Sequence, residues 1–268
     1  AAHLNLANVF MELLKLKEAE SYLKKSIKIK PDFIDAYLNL GLVLNASGKI
    51  QEAKKSILKA IDIKENSADS IWEMVGLSSD IEEAERWISK CLILNKNHIE
   101  ANIALTSIKL HLGDQSLLKK YIELNKFDRK ILSPLIWVSS LKENPNLFFN
   151  KWDFLSNVIN HSNKNRCFYE FGVCRGVSFQ YLINKLNKGY GFDTFEGLPE
   201  DWHKYKKGSF SAEGYIPSIQ GGTFIKGKFE NTLPNFFSKK RPIASIINFD
   251  ADLYSSTLCA LNYSIDVI

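Results

Sequence analysis

Apolar positions in the first part of the chain follow helical spacing, and whole blocks of them recur. Ala2, Leu6, Ala7, Lys15, Glu18, Ala19, Ile27 and Ile29 return 34 residues later as Ala36, Leu40, Gly41, Lys49, Glu52, Ala53, Ile61 and Ile63. A third copy slips by three residues, so that Ala84, Ile88, Leu92 and Leu94 sit 31 after Ala53, Ile57, Ile61 and Ile63. A fourth resumes with Ala101, Leu105 and Gly113, each 65 after Ala36, Leu40 and Gly48. Self-similarity at such a period predicts stacked pairs of antiparallel helices: small residues at fixed places let paired helices approach, and Leu and Ile fill the seams. From Phe127 the pattern changes to mixed aromatic and aliphatic residues, broken at Pro134 and Pro145 and ending in the polar run HSNKNR. One or two helices and a loop are expected there, apolar enough to pack rather than to act as a loose linker.

Beyond residue 166 short apolar runs alternate with helical stretches. Phe168–Phe171 suits a strand, a glycine turn follows, and Val177 opens a helix; a second strand ends at Asp193, a third is TFIKG (223–227), and a fourth is IASIINFD. KFENTLPNFF is expected to open a helix after Asn231 or Thr232. Strands alternating with helices predict a parallel, doubly wound sheet. The expected fold class is therefore α + α/β, a helical solenoid over 1–125, a helical connector over 126–165 and an incomplete doubly wound α/β domain over 166–268. The sequence begins and stops inside helical patterns, as expected of a fragment of a longer polypeptide.

Composition narrows the function classes. Of 268 residues 45% are apolar, enough for a sizeable core, and 35 basic against 30 acidic residues leave +5 without an arginine-rich block. Nucleic acid is not implied. No apolar stretch is long enough to span a bilayer. The four cysteines, Cys91, Cys167, Cys174 and Cys259, form no CxxC pair, which favours a reduced, cytoplasmic setting.

With Leu6-Ala7, Leu40-Gly41, Ala19, Ala53 and Pro31 in its small, apolar and proline places, the first 125 residues resemble the tetratricopeptide repeat. The resemblance implies a protein or peptide partner, with Asn5 and Asn39 at helix positions that face the groove in that family. The plainer reading is that asparagine is common at that place whether or not a ligand binds, and the repeats could equally serve as a self-association surface or a rigid spacer.

Chemistry concentrates in the last third. In FYEFGVCRGVSFQYL an acid ends the strand at Glu170 while Gly172 and Gly176 flank the turn into a helix. Open backbone at a helix N-terminus admits polar groups of a cofactor. The spacing lacks the third glycine of a nicotinamide fingerprint. Asp193 falls at the end of the second strand, where an acid can accept hydrogen bonds from both hydroxyls of a ribose. The fourth strand delivers Asp250 to the same edge, with Asp252, Tyr254, Ser255 and Ser256 expected in the loop after it. Carboxylates there suit a hard divalent cation or removal of a proton from a hydroxyl.

Together EFGVCRGVS, GFDTFEGLPEDW, KGKFENTLPNF and INFDADLYSST resemble the macrocin O-methyltransferase-like group of class I S-adenosylmethionine-dependent methyltransferases, a Rossmann-like fold whose bacterial members methylate hydroxyls of sugars or related metabolites. The resemblance implies S-adenosylmethionine as cofactor and Mg2+ as a possible second. By position, Glu170, Gly172 and Gly176 would line the methionine part, Asp193 the ribose, and Phe195 with Gly227 to Phe229 the adenine. Asp250 would be metal ligand and base, with Asp252 second. The family completes its metal site with two acids after a fifth strand, outside these residues, and Lys228 stands where relatives often carry tryptophan. The long segment 201–222 reads as a lid or substrate loop; His203 within it is an acid–base candidate or a solvated loop histidine. Tyr254 is most simply a packed aromatic, Cys174 lacks a neighbour that would make it a nucleophile, and Trp137, Trp152 and Trp202 suit core or lid packing. The alternative to an O-methyltransferase acting on a glycan or small hydroxyl compound is a repeat scaffold fused to a non-catalytic nucleotide-binding domain.

Overall fold

The computed structural model describes residues 2–63, 67–143 and 145–268. Lys64, Glu65 and Asn66, together with Ala1 and the connector's Asn144, lie outside the described residues. The chain divides into two compact units, one comprising Ala1–Ala7 and Lys17–Asp153, the other Asn8–Leu16 and Phe154–Ile268. Of the segment 126–165, residues up to Asp153 fall in the first unit and those from Phe154 in the second.

The repeats are four helix pairs: α1 (Ala2–Glu12) with α2 (Leu16–Ile29), α3 (Ile34–Ala46) with α4 (Ile50–Ile63), α5 (Ala68–Val75) with α6 (Ile81–Leu94), and α7 (Ile99–His111) with α8 (Ser116–Glu123). Ala7, Ala19, Ala36, Ala53, Ala84 and Ala101, the recurrent small residues, are fully buried. Gly41 shows why they must be small: a Cβ there would lie 2.3 Å from Ile57 Cγ1, across the α3–α4 contact. The three-residue slip can be placed. Helix α5 opens 34 residues after α3 but α6 only 31 after α4, so the missing residues come from the end of α5. Ion pairs join one repeat to the next: Glu20 of α2 with Lys49 just before α4 (2.8 Å), Lys54 of α4 with Glu83 of α6, and Glu85 of α6 with Lys109 of α7 (2.9 Å).

Two helices follow, α9 (Arg129–Ser139) and α10 (Lys151–Asn160). Against expectation, α9 runs through Pro134. A proline removes the bond to the carbonyl four residues back; here that carbonyl, Lys130 O, accepts from the Ser133 hydroxyl at 3.0 Å instead. Trp152, at the start of α10, is buried, and its indole N–H donates to Asn45 O at 2.7 Å, beside Gly48.

The second unit is built on four parallel strands, β1 (Cys167–Phe171), β2 (Gly189–Asp193), β3 (Gly222–Lys226) and β4 (Ala244–Phe249), in the order β3-β2-β1-β4. Three further helices, α11 (Val177–Leu186), α12 (Phe229–Phe237) and α13 (Tyr254–Ser264), complete it. Register alternates two faces. On one, Phe171 stacks between Phe192 (4.9 Å) and Phe249 (5.3 Å), above Phe229 and Leu233 of α12 and Ala260 of α13. On the other, Phe168 meets Phe179 of α11 at 4.7 Å. Gly189 and Gly191 leave room on that face: a Cβ at either would enter the Phe168 ring or the Val173–Phe179 contact. Helix α12 starts at Phe229, earlier than the capping residues Asn231 and Thr232 suggested, because burying Phe229 and Leu233 one turn apart on the sheet outweighs a better cap.

Candidate functional site

The three strands β1, β2 and β4 deliver their carboxyl ends to one edge, and the strand order reverses between β1 and β4, the place where open α/β sheets take ligands. Ladder bonds continue one residue past each strand: Gly172 N donates to Phe192 O (2.9 Å), Asp250 N to Phe171 O (2.8 Å) and Gly227 N to Asp193 O (2.9 Å). The connections then turn sharply. Gly172 (φ +93°) and Cys174 (φ +51°) follow β1, Phe195 (φ +58°) follows β2, and Asp252 (φ +56°) follows β4. Left-handed backbone at non-glycine residues is costly and clusters where function or tight packing demands it. Gly172 cannot be replaced for a second reason, since a Cβ would lie 2.0 Å from Asp250 O.

Asp193 organises this edge. One carboxylate oxygen accepts from Val173 N and Cys174 N, both at 2.7 Å, and the other from Phe195 N at 2.6 Å. The β1–α11 turn is therefore clasped by the acid that ends β2. A carboxylate offers about four acceptor positions. With three backbone donors in place, and the Thr194 hydroxyl 3.5 Å away with its proton better placed on Gly197 O at 2.9 Å, Asp193 retains at most one, where two were expected for a ribose.

Asp250 and Asp252 are both exposed at this edge. Partial burial, then the charges of Asp250 and Asp193, push the Asp252 carboxyl above the usual range. Burial, with Asp193 beside it, raises the Cys174 thiol to about 11, which argues against a nucleophile.

Other sites in the sequence reading fall differently. Glu170 is fully buried, its carboxylate accepting from Asn248 Nδ2 at 2.7 Å, and Phe195 and Phe229 are buried beneath the edge. Gly176 caps α11 in left-handed backbone, φ +77°, but its Cβ position is covered by Pro217 and Ile219. Gly227 (φ +139°) fits against Thr232. Tyr254, Ser255 and Ser256 are not in a loop: they form the first turn of α13, and Tyr254 is 82% exposed rather than packed. Trp137 is likewise exposed, at 65%. Asn248 was missed, although a lone asparagine in an otherwise apolar strand was a signal that a buried polar partner awaited it.

The segment between β2 and β3 is ordered by its own bonds. Leu198 and Ser209 pair through Leu198 N to Ser209 O, Trp202 and Tyr205 exchange two bonds of 2.8 Å, and Asp201 holds both Lys206 Nζ and Lys207 N. His203 sits exposed at the tip, its ring against Trp202. Ser255 Oγ donates to Glu200 at 3.1 Å, tying this hairpin to the start of α13.

Among the described residues no group of three or more His, Cys, Asp or Glu side chains is placed to hold a metal ion, and no helix is long and apolar enough to cross a membrane.

A family model described as tetratricopeptide repeat matches residues 1–33 and 34–67, so the N-terminal region carries these repeats. No curated protein matches the chain. Among solved structures it is similar to YrrB, a TPR protein with an unusual peptide-binding site, at 19% identity over 49% of this chain and 66% of that one, TM-score 0.39. It is also similar to a mutant O-GlcNAc transferase of Thermobaculum terrenum, at 13% identity over 72% of this chain and 36% of that one, TM-score 0.39. The chain thus spans less than two thirds of either structure, and likenesses this loose assign no site.

Proposed function

We propose that the second unit is the Rossmann-like core of an S-adenosylmethionine-dependent O-methyltransferase, and that the repeats recruit a protein or peptide partner. The observation that supports this reading most is the strand order β3-β2-β1-β4 with Asp193, Asp250 and Asp252 gathered at its carboxyl edge. Bound S-adenosylmethionine would supply an electrophilic methyl on a sulfonium. Asp193 would hold a ribose hydroxyl through its remaining acceptor position while keeping the β1–α11 turn in shape. Glu170, Phe195 and Phe229 would act from beneath, fixing Asn248 and the strand ends. Asp252, whose carboxyl is held above the usual range, is the better-placed proton acceptor for a hydroxyl of a glycan or small metabolite. Asp252 would take the proton of the acceptor hydroxyl as that oxygen accepts the methyl group. Should a magnesium ion bind, Asp250 and Asp252 would offer it carboxylate oxygens, although among the described residues no group of three or more His, Cys, Asp or Glu side chains is placed to hold it.

Calorimetric titration of the folded chain tests this. Saturable heat with S-adenosylmethionine and its demethylated product, and none with NAD or ATP, is expected. A chain folded by circular dichroism that binds neither, or that binds NAD or ATP instead, would sink the methyltransferase reading and leave the scaffold.

A further inference from the structure

The second helices of the repeats carry cations in register. Stepping by the repeat offsets of 34, 31 and 34 residues, Lys55, Arg86 and Lys120 are equivalent, and so are Lys25, Lys59 and Lys90; all six are exposed. On α4 and α6 the two rows lie one turn apart. None of the six forms an ion pair among the described residues, whereas the cations at the helix seams, Lys49, Lys54 and Lys109, are all paired. Attraction to the helix dipole accounts for Lys120 alone, which lies in the last turn of α8; the other five run mid-helix, beyond the reach of that effect. Two of the lysines are held in place in the same way at equivalent positions: Lys25 Nζ lies 4.6 Å from the Tyr22 ring centre and Lys90 Nζ 4.6 Å from that of Trp87. Arg86 and Lys90 also line an open groove of about 640 Å³ with Ser89, Leu105, Glu82 and the paired Glu85 and Lys109, so that Arg86 and Lys90 are its two unpaired cations against one unpaired acid among the described residues.

We infer that this face of α2, α4, α6 and α8 docks an acidic α-helix of a partner protein. Spacing selects the helix. The Lys54–Glu83 ion pair sets α4 beside α6; helices lying side by side stand about 10 Å apart, and seven residues of an α-helix advance about 10.5 Å and return to the same side. An extended strand covers that distance in about three residues, which puts successive acids on opposite faces. Charge complementarity then distinguishes a protein from a continuous polyanion. A parallel row, Glu18, Glu52 and Glu83, runs one turn away at equivalent positions; it would repel a phosphate backbone or an anionic membrane but not a helix with acids along a single line. The surface is separate from the strand-end site and does not depend on the methyltransferase reading.

The probe is a labelled alanine-rich helical peptide with glutamate at every seventh residue, beside a peptide of the same composition with its glutamates clustered at one end. Fluorescence anisotropy with the full chain should show the heptad peptide binding more tightly, with affinity falling about tenfold in K55E/R86E/K120E. Reversal of three exposed lysines off the rows, K28E/K96E/K130E, changes net charge equally and should leave binding nearly intact. The inference is overturned if the chain does not distinguish the two peptides, if both triple variants lose binding equally, or if phosphatidylserine vesicles or single-stranded RNA displace the peptide more readily than unlabelled peptide does.

Discussion

Replacing Asp193 with alanine removes the acceptor of three backbone N–H groups from two different connections, Val173 and Cys174 after β1 and Phe195 after β2. A hydrogen bond to a charged acceptor contributes about 1.5–3 kcal/mol net when buried. These donors lie in partly exposed turns and regain water when the carboxylate is lost, so the low end applies. Three bonds at about 1.5 kcal/mol each give a total of about 4.5 kcal/mol, or a drop of roughly 15–20 °C in the melting temperature of the sheet unit. Asparagine should rescue little: one of its two atoms is a donor, so whichever way the amide turns, at least one backbone N–H faces another donor. The assay is thermal unfolding combined with hydrogen exchange, which should show faster exchange in peptides covering the β1–α11 turn and residues 194–196 while α3 and α4 stay protected. A melting temperature within about 1 °C of the parent, or an asparagine variant as stable as the parent, would refute the clasp and return Asp193 to a purely ligand-binding role.

Two further outcomes follow from the repeats. Gly41→Ala places a methyl 2.3 Å from Ile57 Cγ1 and should destabilise the repeat unit by about 1–3 kcal/mol, with Gly41→Ala/Ile57→Val recovering part of it; the check is the urea midpoint of each variant. Glu83 is raised by burial, but Lys54 and then Ser79 more than offset this and hold it at about 2, against an ordinary 4.5. A carboxyl with a depressed folded-state pKa stabilises above its unfolded value, so the contribution is complete at neutral pH and is lost as pH falls from about 4.5 towards 2. After solvent screening it amounts to about 1 kcal/mol. The urea midpoint of Glu83→Gln should therefore lie below the parent's at pH 7 and approach it near pH 3.

The repeats were legible because their signal is redundant: one small residue recurs at each close approach, and the register of Ala53, Ala84 and Ala101 even carried the slip in the third pair. The strands were legible because their apolar runs are short and end at acids. What escaped were local rules that neighbours overrode. Pro134 and Pro234 both sit inside helices, the first with Ser133 serving the freed carbonyl, the second on a helix held by Phe229 and Leu233. Ser255 and Ser256 resemble loop residues until the turn at Asp252 starts a helix before them. The sequence placed Asp193 at the strand end but could not show which donors would reach it, because Val173 and Cys174 come near only once β1 and β2 are paired.

The stacked rings of Phe249, Phe171 and Phe192 also impose an order in time. Each repeat pair closes through contacts between neighbours in sequence, so the helices can assemble as they emerge. Strand β1 instead must wait for β4 to cover its second side, and at about 5–20 residues per second the interval between synthesis of Phe171 and Phe249 lasts several seconds. Throughout that time an aromatic strand has one flank open, which makes the sheet unit, not the repeats, the part of the chain most dependent on a chaperone during synthesis.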